Sequence, residues 1–181
     1  MTYRNHYIKG WYSASCGGVT ALAKEGLNYH APEPAYLQSV ECPERQFISP
    51  AVLNWQHSFT SSEINAALMK AGQKGVGTVT KIQVVQQTKT HRAELVKVTG
   101  SAGTVTVNGA DLRINIDPIK MRSIWLTGLT VSRGVVTMKG RGFGHGVGLC
   151  QWGAYALAKL GKTPQQIVKF YYPQTQLEKI W

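Results

Sequence analysis

Residues 140–163 read GRGFGHGVGLCQWGAYALAKLGKT, and this stretch decides how the rest of the chain is read. Glycine stands at 140, 142, 144, 146 and 148, with Arg141, Phe143 and His145 between. Glycine gives up side-chain packing and costs backbone entropy, so it belongs where backbone bends sharply or approaches something closely. Five in alternation make a poor strand and a worse helix. They predict a side-chain-poor wall of a ligand groove, with His145 standing clear of large neighbours. The run passes into a segment of helical composition, Leu149 to Leu160, with Gly161 as its stop. Thr163-Pro164-Gln165-Gln166 then combines a cap, a proline at the first helical position and a capping-box glutamine. Ile167, Val168, Phe170 and Tyr171 form the apolar face of this second helix.

Working back from the run, Val135 to Lys139 and Ser123 to Val131 predict a hairpin through Ser132 to Gly134 that feeds the glycines. Val79 to Gln86, Ala93 to Val98 and Thr104 to Val107 read as strands, the last ending at an Asn108-Gly109 turn. Ala110 to Asn115 predicts a short helix before Pro118. Thr60-Ser61-Ser62-Glu63 is a capping box, followed by Ile64, Ala67, Leu68 and Ala71 at helical spacing and a stop at Gly72. Ile8 to Ser15 predicts a strand leading to a turn at Gly17-Gly18, and the proline-bearing Ala31 to Gln46 a loop. The expected class is α+β, with mixed or antiparallel strands in the middle and a C-terminal helix pair packed on them.

Familiar glycine-loop chemistry is excluded by spacing. A dinucleotide fingerprint needs a third glycine where His145, Val147 or Leu149 stands. Gly161-Lys162-Thr163 ends like a phosphate loop, but its first glycine would be Ala156 and the helix lies on the wrong side. The formal charge of +11 points to an anionic partner. The basic residues are scattered, with no zinc-finger spacing or RNA-binding signature, so no specific nucleic acid is expected. No run of 18 apolar residues predicts a membrane helix. Met1 to Lys9 lacks the apolar stretch of a signal peptide.

The glycine run resembles the signature of the stage II sporulation protein D family, which includes amidase-enhancer proteins: G-x-G-[FW]-G-H-G-V-G-[ML]-[SC]-Q-W-G-A, then helices ending near Tyr-Tyr-Pro, here Tyr171-Tyr172-Pro173. Tyr12 to Gly18 resembles the family's His-Ser-x-Ser-Gly-Gly. Arg113 and Met121-Arg122-Ser123 resemble its pair of arginine positions. The matches run in order over nearly the whole chain, so residues 1–181 read as one such domain. The resemblance implies a partner, the glycan strands of peptidoglycan, and with it a cell-wall amidase. It implies a place outside the cytoplasm, in the cell wall or periplasm, with any signal or anchor upstream. The implied activity is lytic cleavage between muramic acid and glucosamine, with non-catalytic wall binding as the alternative.

His145 is the first candidate for the groove, in a supporting catalytic role near neutral pH. Ser15, Gly17, Gly18, Arg122, Arg141, Gly144, Gly146 and Gln151 are candidates for holding the glycan. Arginines suit muramic-acid carboxylates, and a helix start suits a hydroxyl-rich ligand. Trp152 suits either a sugar platform or the core. Cys16, His30 and Cys42, with His145 or Cys150 as a fourth, are residue types that bind zinc, and some family members are thought to carry zinc near this turn. The long spacing without a C-x-x-C pair describes small buried thiols better than a zinc site, and no other cofactor is expected. Lytic cleavage can run on one carboxyl group, whereas ordinary hydrolysis flanks the bond with two. In the family that acid resembles a glutamate in a G-x-[VM]-P-x-E segment, which none of Glu25, Glu33, Glu41, Glu44, Glu63, Glu94 or Glu178 matches. The expectation is an N-terminally truncated domain, weak or inactive in cleavage by itself.

Overall fold

The computed structural model describes residues 1–178. The chain opens with a small antiparallel pair, β1 (Thr2–Tyr3) and β2 (His6–Tyr7), then β3 (Tyr12–Ser13) and the short helix α1 (Ala23–Leu27). A 3-10 turn at Pro43–Gln46 precedes α2 (Pro50–Leu53), β4 (Asn54–Thr60) and α3 (Ser61–Lys70). Three strands follow, β5 (Val79–Gln87), β6 (Ala93–Gly100) and β7 (Gly103–Asn108), then α4 (Gly109–Ile116). The hairpin β8 (Leu126–Ser132) and β9 (Val135–Arg141) leads through the glycine run to β10 (Leu149–Cys150), α5 (Gln151–Lys159) and α6 (Pro164–Tyr171). The fold is α+β.

Two three-stranded antiparallel sheets, ordered β4-β9-β8 and β5-β6-β7, carry the larger core. Alternation sets their faces: Trp55 and Phe59 on β4, and Val136 and Met138 on β9, turn inward. Arg133 and Gly134, both at positive φ (47° and 74°), make the tight hairpin turn that matches strand twist. Thr60 accepts a hydrogen bond from Glu63 N, and Glu63 accepts one from Thr60 N at 2.8 Å, so α3 starts with its reciprocal cap. Ile64 and Leu68 on α3 and Leu112 on α4 then close over the sheets.

A second core holds Cys16, Leu37, Cys42, Val147, Cys150 and Tyr171, among others. Here α5 and α6 meet the 3-10 turn and the N-terminal loops rather than a broad sheet. β10 runs parallel to β3 over two residues.

Three local expectations change. Asn108-Gly109 is a helix start, not a turn: Asn108 Oδ1 accepts from Ala110 N at 2.8 Å and caps α4. Asparagine serves both roles by the same local hydrogen bonding, so the dipeptide does not separate them. Of Ile8 to Ser15, only Tyr12–Ser13 forms a strand, because its partner β10 is cut short by α5. The sequence reading left out β4, whose polar outward residues dilute its alternation.

Candidate functional site: a cationic cleft beside a thiol cluster

The glycine run leaves β9 and folds back on the chain itself. Gly142, Gly144, Gly146 and Gly148 all adopt left-handed φ, between 71° and 109°. Phe143 exchanges backbone hydrogen bonds with Ser15, and Ala21 N donates to Gly146 O at 2.8 Å. A side chain at Gly144 would meet Ser13, and one at Gly146 the Arg92 guanidinium. The run was expected to wall an open trough for ligand. Instead, its missing side chains make room for the protein's own backbone and for Arg92.

His145 is half-buried in this fold. Its Nδ1 accepts from Val147 N at 3.0 Å. Burial, then the nearby Arg113 charge, push the imidazole down to about 4, so it is neutral at physiological pH. A neutral ring with one nitrogen engaged by its own loop holds that loop in shape. Arg113 is likewise committed to structure: its Nε donates to the Met121 and Arg122 carbonyls, and a terminal nitrogen to Pro118 O.

A cleft of about 570 Å³ lies next to the run and is lined by Gly18, Glu41, Cys42, Arg45, Lys89, His91 and Trp125, among others. Trp125 organises it. His91 stacks on the indole at 4.7 Å with a 20° interplanar angle. The Arg92 and Arg141 guanidiniums lie over the same ring system, each 5.3 Å from its centroid. Gly17 packs directly on the indole; an added Cβ would sit 2.6 Å from Trp125 Cε3. Arg141 N donates to Trp125 O, and Ser123 Oγ donates to Arg141 O at 2.6 Å, so the arginine's backbone is fixed from both sides. Trp55 Nε1 in turn donates to Ser123 Oγ, linking this support to the sheet core.

The cleft is electrostatically unbalanced. Among the described residues no carboxylate lies within 4.0 Å of the Arg45, Lys89 or Arg141 side-chain nitrogens; the ion pairs found there are made by Lys120. The Arg141 Nε is buried without a hydrogen-bond partner. Burial and then the like charge of Arg45 push the Arg141 guanidinium below its ordinary value. Such a site gains from a bound anion.

The structure thus brings together Gly17, Gly18 and Arg141 of the expected glycan residues, with Ser15 and Gly144 behind them. Arg122 lines a separate cleft of about 410 Å³ with Trp55, His57 and Lys120, and its guanidinium lies over Phe143 at 5.5 Å. Gln151 lines a third, shallow site of about 380 Å³ with Trp152 and Tyr155. The cleft residues Arg45, Lys89, His91 and Trp125 escaped the sequence reading. Their signal, cations spread around one tryptophan, is dispersed over 80 positions and appears only on folding.

The thiols behave differently from the expected ligand set. His30 is exposed and outside the group. Cys16, Cys42 and Cys150 converge with Glu44, all four buried, their ligand atoms within 4.8 Å of one another. Cys150 Sγ is 3.0 Å from one Glu44 oxygen and Cys16 Sγ 3.7 Å from the other. Cys150 Sγ accepts backbone hydrogen bonds from Cys16 N (3.3 Å) and Gly153 N (3.4 Å), capping α5 with sulfur. Cys42 Sγ and Tyr171 Oη are 3.3 Å apart. Hydrogen bonds from Cys150 and Cys16 pull the Cys42 thiol well below its ordinary value, while burial pushes Cys16 up. Burial also pushes the Glu44 carboxyl up.

Residues 28–148 match the family described as a domain of unknown function, DUF8618. The chain is 30% identical to stage II sporulation protein D of Bacillus subtilis over 99% of its own length and 48% of that protein's. It is 29% identical to an uncharacterised protein of Brachyspira hyodysenteriae over 94% of its length and 43% of the relative's. To the amidase enhancer of Bacillus subtilis it is 33% identical over 59% of this chain and 14% of that protein. The chain spans less than half the length of these curated relatives. With the signature run, the Tyr12–Gly18 turn and the matched domain all in place, the chain belongs to the DUF8618 family and to the kin of stage II sporulation protein D and the amidase enhancer.

Proposed function

We propose that this chain holds the glycan strands of bacterial peptidoglycan and serves in cell-wall remodelling outside the cytoplasm, within a lytic transglycosylase-type protein. The observation that carries the reading is the cleft at Trp125, lined by Arg45 and Lys89 with Arg141 over the same indole, three cations that have no carboxylate partner among the described residues. Muramic acid carries a carboxylate on each disaccharide, free once its peptide is removed. A cleft of fixed cations suits such a polymer, and the names of two relatives, a sporulation protein and an amidase enhancer, place them in sporulation and amidase action. The roles divide into holding and cutting. Cutting needs a carboxyl group to protonate the glycosidic oxygen. Of the cleft residues, Glu41 is the acidic one, exposed at the rim. None of the described helices is long and apolar enough to cross a membrane.

The test is binding of the purified chain to peptide-stripped glycan strands, with anhydro-muramyl products assayed in parallel. The expected result is binding that Arg45→Ala with Arg141→Ala weakens at least about tenfold, a loss in keeping with one or two charge-assisted hydrogen bonds, and no products. Products abolished by Glu41→Gln would assign the cutting role to this chain as well. Equal binding to DNA, falling steeply as salt rises, would replace the reading by non-specific polyanion attraction.

A further inference from the structure

We propose that Arg45 and Arg141, meeting over Gly18, form a site for a phosphoryl group, the phosphodiester of a polyol-phosphate wall polymer being its ligand. The inference goes beyond the glycan reading and rests on it for the cell-wall setting alone. It names a second class of wall polymer and the group by which the cleft takes it.

The geometry at Gly18 carries the inference. A Cβ there would stand 3.3 Å from Arg45 Nε and 4.0 Å from a terminal nitrogen of Arg141. Both guanidiniums therefore reach the space over one residue that has no side chain of its own. Their like charges act against each other. Neither makes an ion pair among the described residues, and Arg141 Nε is buried without a partner. Lys89 lines the same cleft, and of the cleft residues only Glu41 brings a carboxylate.

The backbone holds the two cations in place before any ligand arrives. Cys42 N donates to Gly18 O at 2.9 Å and so ties the glycine to the 3-10 turn that carries Arg45. Arg141 ends β9, its carbonyl accepts from Ser123, and its guanidinium lies over Trp125. Groups fixed in this way lose little freedom on binding.

Two converging arginines suit phosphate better than carboxylate. A carboxylate presents two coplanar oxygens, and one guanidinium fork occupies both. The second arginine would then stay unpaired beside the first. A phosphodiester directs its two free oxygens tetrahedrally away from phosphorus, so forks arriving from two sides can each be met. Lys89 stands in the same cleft for the next phosphate of the chain.

The experiment titrates the full chain by calorimetry at one salt concentration. The ligands are poly(glycerol phosphate), polygalacturonate of matched length as a carboxylate polymer, and phosphate-free, peptide-stripped glycan strands. Poly(glycerol phosphate) should bind at least about tenfold tighter than polygalacturonate. Arg45→Lys and Arg141→Lys keep the charge but lose the fork, and each should weaken the phosphate polymer at least about fivefold. Lys159→Ala removes a charge from α5, away from the cleft, and should change affinity less than about twofold. Inorganic phosphate should displace the polymer only at millimolar concentration; displacement at micromolar concentration would give the site to the free ion instead. Equal affinity for the two acidic polymers overturns the proposal. So do lysine variants that keep their melting temperature and bind undiminished, and single-stranded DNA bound as tightly at equal phosphate content. Phosphate-free strands that still bind in those cases keep the glycan reading; if they alone fail to bind, that reading is lost and the phosphate site stands.

Discussion

In the sheet core, Phe59, Ile64, Leu68, Val96, Leu112 and Met138 meet side chain against side chain. Around Cys150 the contacts are of another kind. Gly148 lies against Trp11 O and the Tyr172 hydroxyl, and Gly153 against Cys42 Sγ and the Tyr171 hydroxyl. Tyr172 Oη donates to Trp11 O, and Trp152 N to Ala14 O. The first region is stabilised by apolar area removed from water, and tolerates repacking that conserves volume. The second is stabilised by close backbone approach and by buried polar groups that must each find a partner. Substitutions should therefore act through lost volume in one region and through lost space in the other.

The largest effect belongs to the sheet core. Phe59 is 1% exposed on β4, and Phe59→Ala should lower the unfolding free energy by about 3–5 kcal/mol. Urea unfolding measures this; a loss below about 1 kcal/mol would mean the sheets do not carry the stability. A glycine pair then probes the second region. Gly146 (φ 77°) and Gly161 (φ 80°) share a backbone conformation. At Gly146 a methyl group would strike the Arg92 guanidinium, while at Gly161 nothing lies within 4 Å. Gly146→Ala should cost about 2–4 kcal/mol, combining backbone strain with overpacking, and Gly161→Ala about 1–2 kcal/mol from strain alone. Equal losses would show that conformation, and not crowding, selects glycine in the signature run.

His145 sharpens the comparison through pH. Its folded value, about 4, lies below the unfolded value of about 6.5. The unfolded chain therefore binds the proton first as pH falls. The neutral ring's contribution is fully present above about pH 6.5 and is lost as pH drops toward 4. The shift corresponds to about 3 kcal/mol over that window. His145→Asn keeps an acceptor for Val147 N and removes the titration. The difference in stability between the two proteins, followed from pH 7 to 4, should narrow or invert. A constant difference would mean that the ring stays hydrated in the folded chain.

The same contrast explains what was legible in the sequence. Strands β5, β6, β8 and β9, helix α3 with its Thr60 cap, and α6 with its Thr163 cap announce themselves through alternation, helical spacing and caps, all local signals. The second region has no such periodicity. Cys16 and Cys150 stand 134 positions apart, and β3 pairs with β10 over two residues. Only the closed chain shows that Glu44 joins the thiols while His30 stays outside. The glycine spacing signalled close approach, and close approach is found. What approaches is Ser13, Arg92 and Trp11 of the chain itself, which spacing alone could not identify.

The smallest effects come from the two helix caps, one in each region. Thr60 and Thr163 both accept a hydrogen bond from the backbone three residues on, with Glu63 and Gln166 answering in return. Thr60→Ala and Thr163→Ala should each cost about 1 kcal/mol. The answering side chains differ, a carboxylate at Glu63 and an amide at Gln166, and so should the pH response. Hydrogen bonds from the Thr60 backbone and hydroxyl hold the Glu63 carboxyl below its ordinary range. A depressed carboxyl contributes stability above its unfolded value, and the contribution is lost as pH falls through the folded one. The Thr60→Ala penalty should thus shrink as pH falls through the lowered Glu63 value and the carboxyl takes up its proton in both proteins. Gln166 does not titrate, so the Thr163→Ala penalty should stay level over the same range. Parallel pH curves for the two variants would place the Thr60 effect in the hydroxyl alone and remove the Glu63 charge from the cap.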